Sequence, residues 1–216
     1  MPVSSSQNLK TPVAPIPRET NQYLQSWIKM YGEFRVADEG DKISTIDKRA
    51  LILVEEGAWQ MIVGGQKTMN IICAGGMVWL DSLVPEDTRE LTYYKIISRT
   101  KYYELPISSI SFSVPDPEFV NGIFDFVTRS SCEISNKWLT QCTNDSYKQI
   151  KNSLEWIASL PNSIKEKFTI IFFISATTGV SRSHALAIVK ALKEGSYIEV
   201  NRGYLVRILK KLPSSY

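Results

Sequence analysis

The sequence predicts an α+β chain: an N-terminal antiparallel β-barrel or jelly roll, connecting helices, and a C-terminal winged helix-turn-helix. Three observations predict it. First, short β-rich runs separated by Glu56-Gly57, Gly64-Gly65 and Gly75-Gly76 fill the span from Asp41 to about Val114, the pattern of a small barrel. Second, Pro115-Asp116-Pro117 marks a change from strand to helical periodicity. Third, Thr178 to Leu192 reads as the turn and second helix of a helix-turn-helix, with a hairpin behind it.

In chain order, residues 1–19 are rich in Ser and Pro, lack periodicity and read as a disordered lead-in. Residues 20–115 form the barrel domain, 116–160 the connecting and dimerisation helices, and 161–216 the winged helix. Tyr23, Leu24, Trp27, Ile28 and Tyr31 predict a short amphipathic helix. The strand-like runs are 50–54, 59–63, 69–73, 77–80, 91–97 and 102–105. Asp116 and Pro117 make an N-cap and first-turn pair. Phe119, Ile123, Phe126 and Val127 follow at helical spacing. That stripe suits either a two-fold dimer or packing on the chain's own barrel, because core and interface share one chemistry. A second helix starts near Asp145, with Tyr147, Ile150, Leu154, Ile157 and Leu160 on one face and Pro161 as its stop.

In the last segment, Gly179 predicts a tight turn with an unusual backbone angle. Ser181 caps the next helix, and Ala185, Ile188, Val189 and Leu192 make its apolar stripe. Arg182, Ser183, Ala187 and Lys190 fall on the outer side. Gly195 is the natural C-cap, and Asn201-Arg202-Gly203 turns the hairpin between Tyr197–Val200 and Tyr204–Ile208. Such a helix places its first outer residues in the DNA major groove. Ser181, Arg182, Ser183, His184 and Lys190 are therefore the candidate DNA contacts, with Arg202 on the wing beside a phosphate. For His184, a phosphate contact and a surface histidine without a role both stand. The competing reading of the segment is an amphipathic helix and hairpin that serve only as core.

Charge supports the first reading. The net charge of +3 is uneven: from Pro161 onward nine Lys or Arg face three Glu, a balance of +6, which leaves −3 for the first 160 residues. A basic end beside an acidic body is the footprint of a terminal nucleic-acid module. No apolar run approaches a membrane span and no signal peptide is visible, so the expected location is the cytoplasm, with no membrane partner. Cys73, Cys132 and Cys142 show no metal or iron–sulfur spacing; Cys132 and Cys142 stand as either a redox pair or inert thiols. A lone histidine, no P-loop and no dinucleotide motif give no support for a metal, a cofactor or an enzyme.

A small barrel, a connecting helix and a winged helix together resemble the Crp/Fnr-type bacterial regulators. Gly179-Val180-Ser181-Arg182 and Ile188-Val189-Lys190-Ala191-Leu192 look like that superfamily's DNA-binding motif. A narrower likeness is to the enterobacterial "inhibitor of hydrogen peroxide resistance" family. It rests on Asn144–Ile150, Val180–Ser183, Gly195–Gly203 and the ending Leu212-Pro213-Ser214-Ser215-Tyr216, and is clearest over the last 75 or so residues. The resemblance implies a cyclic-nucleotide-binding-like barrel, a dimer and a part in the oxidative-stress response. Two departures qualify it. Trp79-Leu80 stands where cyclic-nucleotide binders carry Gly-Glu, and the loop 86–91 has Arg89 without the Ser-Ala that follows it in those proteins. On the recognition helix, Ser183 and Ala187 replace the usual base-reading Glu and Arg, which leaves Arg182 as the strong base reader.

The sequence thus predicts a DNA-binding transcriptional regulator without cyclic-nucleotide binding that modulates the hydrogen peroxide response. Two alternatives remain: a regulator acting through a protein partner with a degenerate winged helix, and a barrel holding an unidentified small effector.

Overall fold

The computed structural model describes residues 18–44, 49–80, 92–110, 116–141 and 143–215. The start of the lead-in, the loop bearing Arg89 and Cys142 lie outside the described residues. The N-terminal part runs α1 (Arg18–Tyr31), β1 (Glu33–Ala37), β2 (Lys42–Ser44), β3 (Ala50–Val63), β4 (Lys67–Cys73), β5 (Met77–Leu80) and β6 (Tyr93–Pro106). The C-terminal part runs α2 (Pro117–Gln141), α3 (Ser146–Ser159), the single turn α4 (Asn162–Lys165), α5 (Ile170–Thr177), α6 (Arg182–Glu194), β7 (Ile198–Asn201) and β8 (Tyr204–Ile208).

The antiparallel sheet is built on two long strands. β3 and β6 pair along their length, β1 and β2 extend the β6 side, and β4 and β5 extend the β3 side. Here the structure corrects the sequence reading. The runs 50–54 and 59–63 are one strand, and Glu56-Gly57 is a bulge within it rather than a turn. The runs 91–97 and 102–105 likewise merge within β6. β1 went unnoticed because its residues are almost all exposed, so it lacks the buried alternation that marks a strand.

The bulges decide which way side chains point. Before them the even residues Ala50, Ile52 and Val54 face the interior of the roll. After them the odd residue Trp59 does so, with Tyr94, Ile96 and Tyr102 around it. An extra residue in one strand reverses the alternation downstream. The opposite face changes neighbours accordingly: Leu51 and Leu53 pack under α1 and α2, whereas Ala58 packs with Ile71, Ile97 and the C-terminal helices. Thr100 Oγ1 secures the bend by donating to the Glu56 carbonyl while accepting from Trp59 Nε1 at 3.2 Å.

The stripe Phe119, Ile123, Phe126 of α2 packs inward on Leu24, Ile28, Leu51 and Leu105. Those three residues follow the own-chain reading, with Phe119 and Phe126 buried, whereas Val127, the fourth residue of the predicted stripe, is exposed. Asp116 caps α2 by accepting from the Glu118 amide at 2.9 Å, and it also accepts from the Tyr23 hydroxyl. That bond to the carboxylate is the main cause that pushes the Tyr23 phenol up to about 12. The same bond holds the Asp116 carboxyl below its usual range. α1 and α2 are thus tied at the point where the chain leaves the sheet.

Gly57 lies at φ +91°, and a Cβ there would sit 2.5 Å from the Arg99 carbonyl oxygen and 2.8 Å from Thr100. Gly57→Ala is expected to destabilise the protein by about 2 kcal/mol or more, read as a lower urea midpoint. A midpoint equal to wild type would show that the bend does not depend on the missing Cβ.

Candidate nucleic-acid interface

The helix-turn-helix begins with α5, capped by Thr169, whose hydroxyl accepts from the Phe172 amide at 3.4 Å. Of its apolar start, Ile170, Phe173 and Ile174 are core and Phe172 is exposed. The turn then spans Thr178 to Ser181. Gly179 is not among the residues with positive φ, so the expected unusual angle is absent. Instead Thr178 fixes the turn: its hydroxyl donates to the Ile174 carbonyl at 2.7 Å and accepts from the Val180 amide at 3.1 Å. Two side-chain bonds do locally what a left-handed glycine does elsewhere.

Ser181 caps α6 as expected, accepting from the His184 amide at 3.3 Å. Ala185, Ile188 and Leu192 are buried, and Val189 packs partly against the same core. That core includes Tyr147, Ile150, Leu154 and Ile157 from α3, and Ile198 and Leu205 from the hairpin. Burial of this stripe fixes the rotation of α6, and the rotation exposes Ser181, Arg182, Ser183 and His184 together in its first turn. Lys190 is exposed two turns on, 3.8 Å from Glu194. Among the described residues Arg182 makes no ion pair or side-chain hydrogen bond. Gly195 ends α6 at φ −75°, and the left-handed residue is the next one, Ser196.

Arg202 stands apart from the other five candidates. It and Gly203 both have positive φ, at 48° and 86°, as the tight turn of a two-residue hairpin requires. The Gly203 carbonyl accepts from the Ile170 amide at 2.9 Å, which docks the wing tip on the start of α5. Arg202 therefore lies by the α5 N-terminus, and it lines one cleft with Lys165 and Glu166. Sequence reasoning missed Lys165 and Thr169 as neighbours of the wing tip at this corner. The signal was available in the Thr cap and the neighbouring lysine, but only the docking of the wing joins them.

The barrel is also joined to this module. Lys67, after the β3–β4 turn, donates to the Thr178 carbonyl and, at 3.3 Å, to the Ser175 carbonyl. Lys137 of α2 donates to Asn70 Oδ1 and sits 4.6 Å from the centroid of the Trp156 ring. Lys167 pairs with Glu39 at 2.7 Å. Of the cyclic-nucleotide positions, Trp79 and Leu80 end β5 and Arg89 lies outside the described residues. Among the described residues no group of three His, Cys, Asp or Glu is placed to hold a metal ion, and no helix is long and apolar enough to cross a membrane.

A β-roll, a long helix and a winged helix in this order define the fold of a Crp/Fnr-type DNA-binding regulator. Solved structures share it: FixK2 from Bradyrhizobium japonicum superposes with a TM-score of 0.67 at 10% identity, over 83% of this chain and 93% of that one. A CRP/FNR-family transcriptional regulator from Thermus thermophilus superposes with a TM-score of 0.58 at 17% identity, over 82% and 94%. Residues 146–214 match the family described as winged helix-turn-helix DNA binding. The "inhibitor of hydrogen peroxide resistance" of Salmonella typhimurium is 36% identical over 168 residues, 76% of this chain and 78% of that protein. The Escherichia coli protein of the same name is 26% identical over 125 residues, 57% and 60% of the two chains. This chain belongs to the inhibitor of hydrogen peroxide resistance family.

Proposed function

We propose that the protein is a dimeric transcriptional regulator that binds duplex DNA through α6 and the wing, without cyclic-nucleotide binding, and lowers resistance to hydrogen peroxide. The observation that carries the DNA reading is the Ser181-capped first turn of α6, which exposes Arg182 free of any protein partner among the described residues. A free guanidinium at a helix start suits the two acceptors of guanine in the major groove. Ser181, Ser183 and His184 flank it as backbone contacts, and Lys190 follows along the helix. Arg202, with Lys165 and the Thr169-capped start of α5, makes a second phosphate contact. The peroxide role is supported by the names of the relatives. The working division of the chain is 1–19, 20–115, 116–160 and 161–216, with α3 burying its apolar face in the winged-helix core. This is a regulator's architecture rather than an enzyme's, and its place is the cytoplasm, with the DNA.

The dimer seam keeps only Val127 of the predicted stripe and otherwise lies on the exposed side of α2. Val120, Phe124, Val127, Ser131, Ile134 and Trp138 recur at alternating steps of four and three, a heptad seam. Phe124 and Trp138 are 69% and 57% exposed, too much apolar surface to leave in water on one helix. A two-fold pair of such helices would present two copies of α6 to a two-fold site.

A second reading has one observation in its favour. Leu186 is 54% exposed on α6 beside Ala187, where polar base readers would stand. A protein partner would use that apolar surface. Salt separates the two, since counterion release weakens DNA binding steeply and a hydrophobic interface hardly at all.

Three outcomes are expected. Arg182→Ala should weaken binding to a selected DNA site by about 1–3 kcal/mol and relax one base preference, measured by fluorescence anisotropy. Unchanged affinity and preference would remove Arg182 from the surface. Calorimetric titration with cyclic AMP should give no saturable micromolar binding, and a saturating curve would restore the nucleotide site. Light scattering should give a dimer for wild type and a single-chain mass for Ile134→Glu; a monomeric wild type at tens of micromolar would remove the α2 seam.

A further inference from the structure

The cleft between the roll and α5 has no role in the reading above, and its chemistry is one-sided. It encloses about 480 Å³, with the sheet as floor and Phe172, Ser175 and Ala176 of α5 as one wall. Lys42, Lys67 and Lys95 all line it, and no carboxylate does among the described residues. Lys42 and Lys95 are direct register partners across the antiparallel β2–β6 pair. Like charges placed directly opposite destabilise a sheet unless something lies between them. Lys95 has no ion pair or side-chain hydrogen bond among the described residues, and Lys42 has only the face of Tyr93, 4.8 Å away. The wall adds an unmet hydrogen bond: Ser175 Oγ is shielded from solvent and finds no partner among the described residues. Buried polar atoms ordinarily have one. Gln60 lies on the floor beside Lys95, with Thr68 accepting its amide proton at 2.7 Å.

We propose that this cleft binds a small polyanion, a molecule carrying a diphosphate or a terminal phosphate monoester, with Lys42 and Lys95 as its principal contacts. Several negative charges suit three ammonium groups with no acid among the described lining residues. The exposed Phe172 ring and the Tyr93 ring leave an apolar ledge at the rim for the rest of such a molecule. None of the cleft's described lining residues belongs to β5, where one of the cyclic-nucleotide contacts would lie. The site touches the helix-turn-helix directly, because Lys67 lines the cleft while holding the Ser175 and Thr178 carbonyls at the end of α5. An anion competing for Lys67 loosens the support under the turn that precedes α6. The cleft is therefore a place where a metabolite reaches the DNA-binding module.

Calorimetric titration of the full chain with sodium pyrophosphate tests this, with ionic strength held constant by sodium chloride and no divalent cation present. Wild type should bind saturably at one site per chain. Lys42→Gln/Lys95→Gln should bind about tenfold more weakly or not at all, with an unchanged circular dichroism spectrum, since both side chains are exposed. Lys101→Gln/Lys148→Gln removes the same charge elsewhere and should bind like wild type. An absence of saturable heat in wild type would overturn the proposal. So would equal weakening in both double variants, which would reduce the effect to net charge. If wild type shows no pyrophosphate binding but Lys42→Gln/Lys95→Gln weakens DNA binding, the lysines face the DNA backbone and the cleft is not a ligand site.

Discussion

The β3–β6 ladder is the constraint on which the rest of the molecule depends. Two 14-residue strands pair along their length and bend together at Glu56–Trp59 and Ser98–Thr100. The bend exchanges the two faces of β3. One half of the strand offers Leu51 and Leu53 to α1 and α2, and the other half offers Ala58 to the winged-helix core. A single pair of strands therefore fixes both the helical layer that emerges from the barrel and the module that lies against its far end. Trp59, fully buried, is held at this point by Thr100. Burying so large a ring stabilises the bend only because its indole N–H has a partner there.

The site inherits its geometry from this frame in stages. Sheet and α3 supply apolar surface, α5 and α6 bury their stripes on it, and burial sets their rotation. Rotation then determines that Arg182 points out and Ile188 points in. Neither the turn before α6 nor its first turn needs an unusual backbone for this, and Thr178 shapes the turn through two hydrogen bonds. The hairpin closes the unit, because the Gly203 carbonyl satisfies the Ile170 amide, an otherwise unpaired donor in the first turn of α5.

Much of this was legible in the sequence, and the remainder fails for identifiable reasons. The cap Ser181, the helix start near Asp145, the stop at Gly195 and the turn at Arg202-Gly203 are local, and each is found where its residues predict. Gly57 misled because one glycine with positive φ serves a turn and a bulge equally well; only the partner strand distinguishes them. The α2 stripes misled for a related reason. Phe119 and Phe126 share the helix with Phe124 and Trp138, and composition cannot say which set faces the chain's own sheet. Gly179 misled by analogy, since a threonine does its work. The cleft with Lys42 and Lys95 was invisible for the simplest reason: its residues lie on separate strands and meet only through pairing register.

Lys137 and Trp138 are neighbours in sequence with opposite duties. Lys137 reaches inward to Asn70 and the Trp156 ring, and Trp138 is turned out to solvent. Successive helix residues are about 100° apart, so α2 acts as a ratchet with few permitted teeth. Inserting one residue ahead of this pair would carry the lysine off its partners and into the exposed position that Trp138 now holds. Only insertions near a whole number of turns, such as seven residues, would restore the direction of both side chains, and those would move the lysine about 10 Å along the axis from its partners. The length of α2 is therefore tightly bound by function, and lineages of this family are expected to vary in their loops and in the exposed strand β1 well before they vary there.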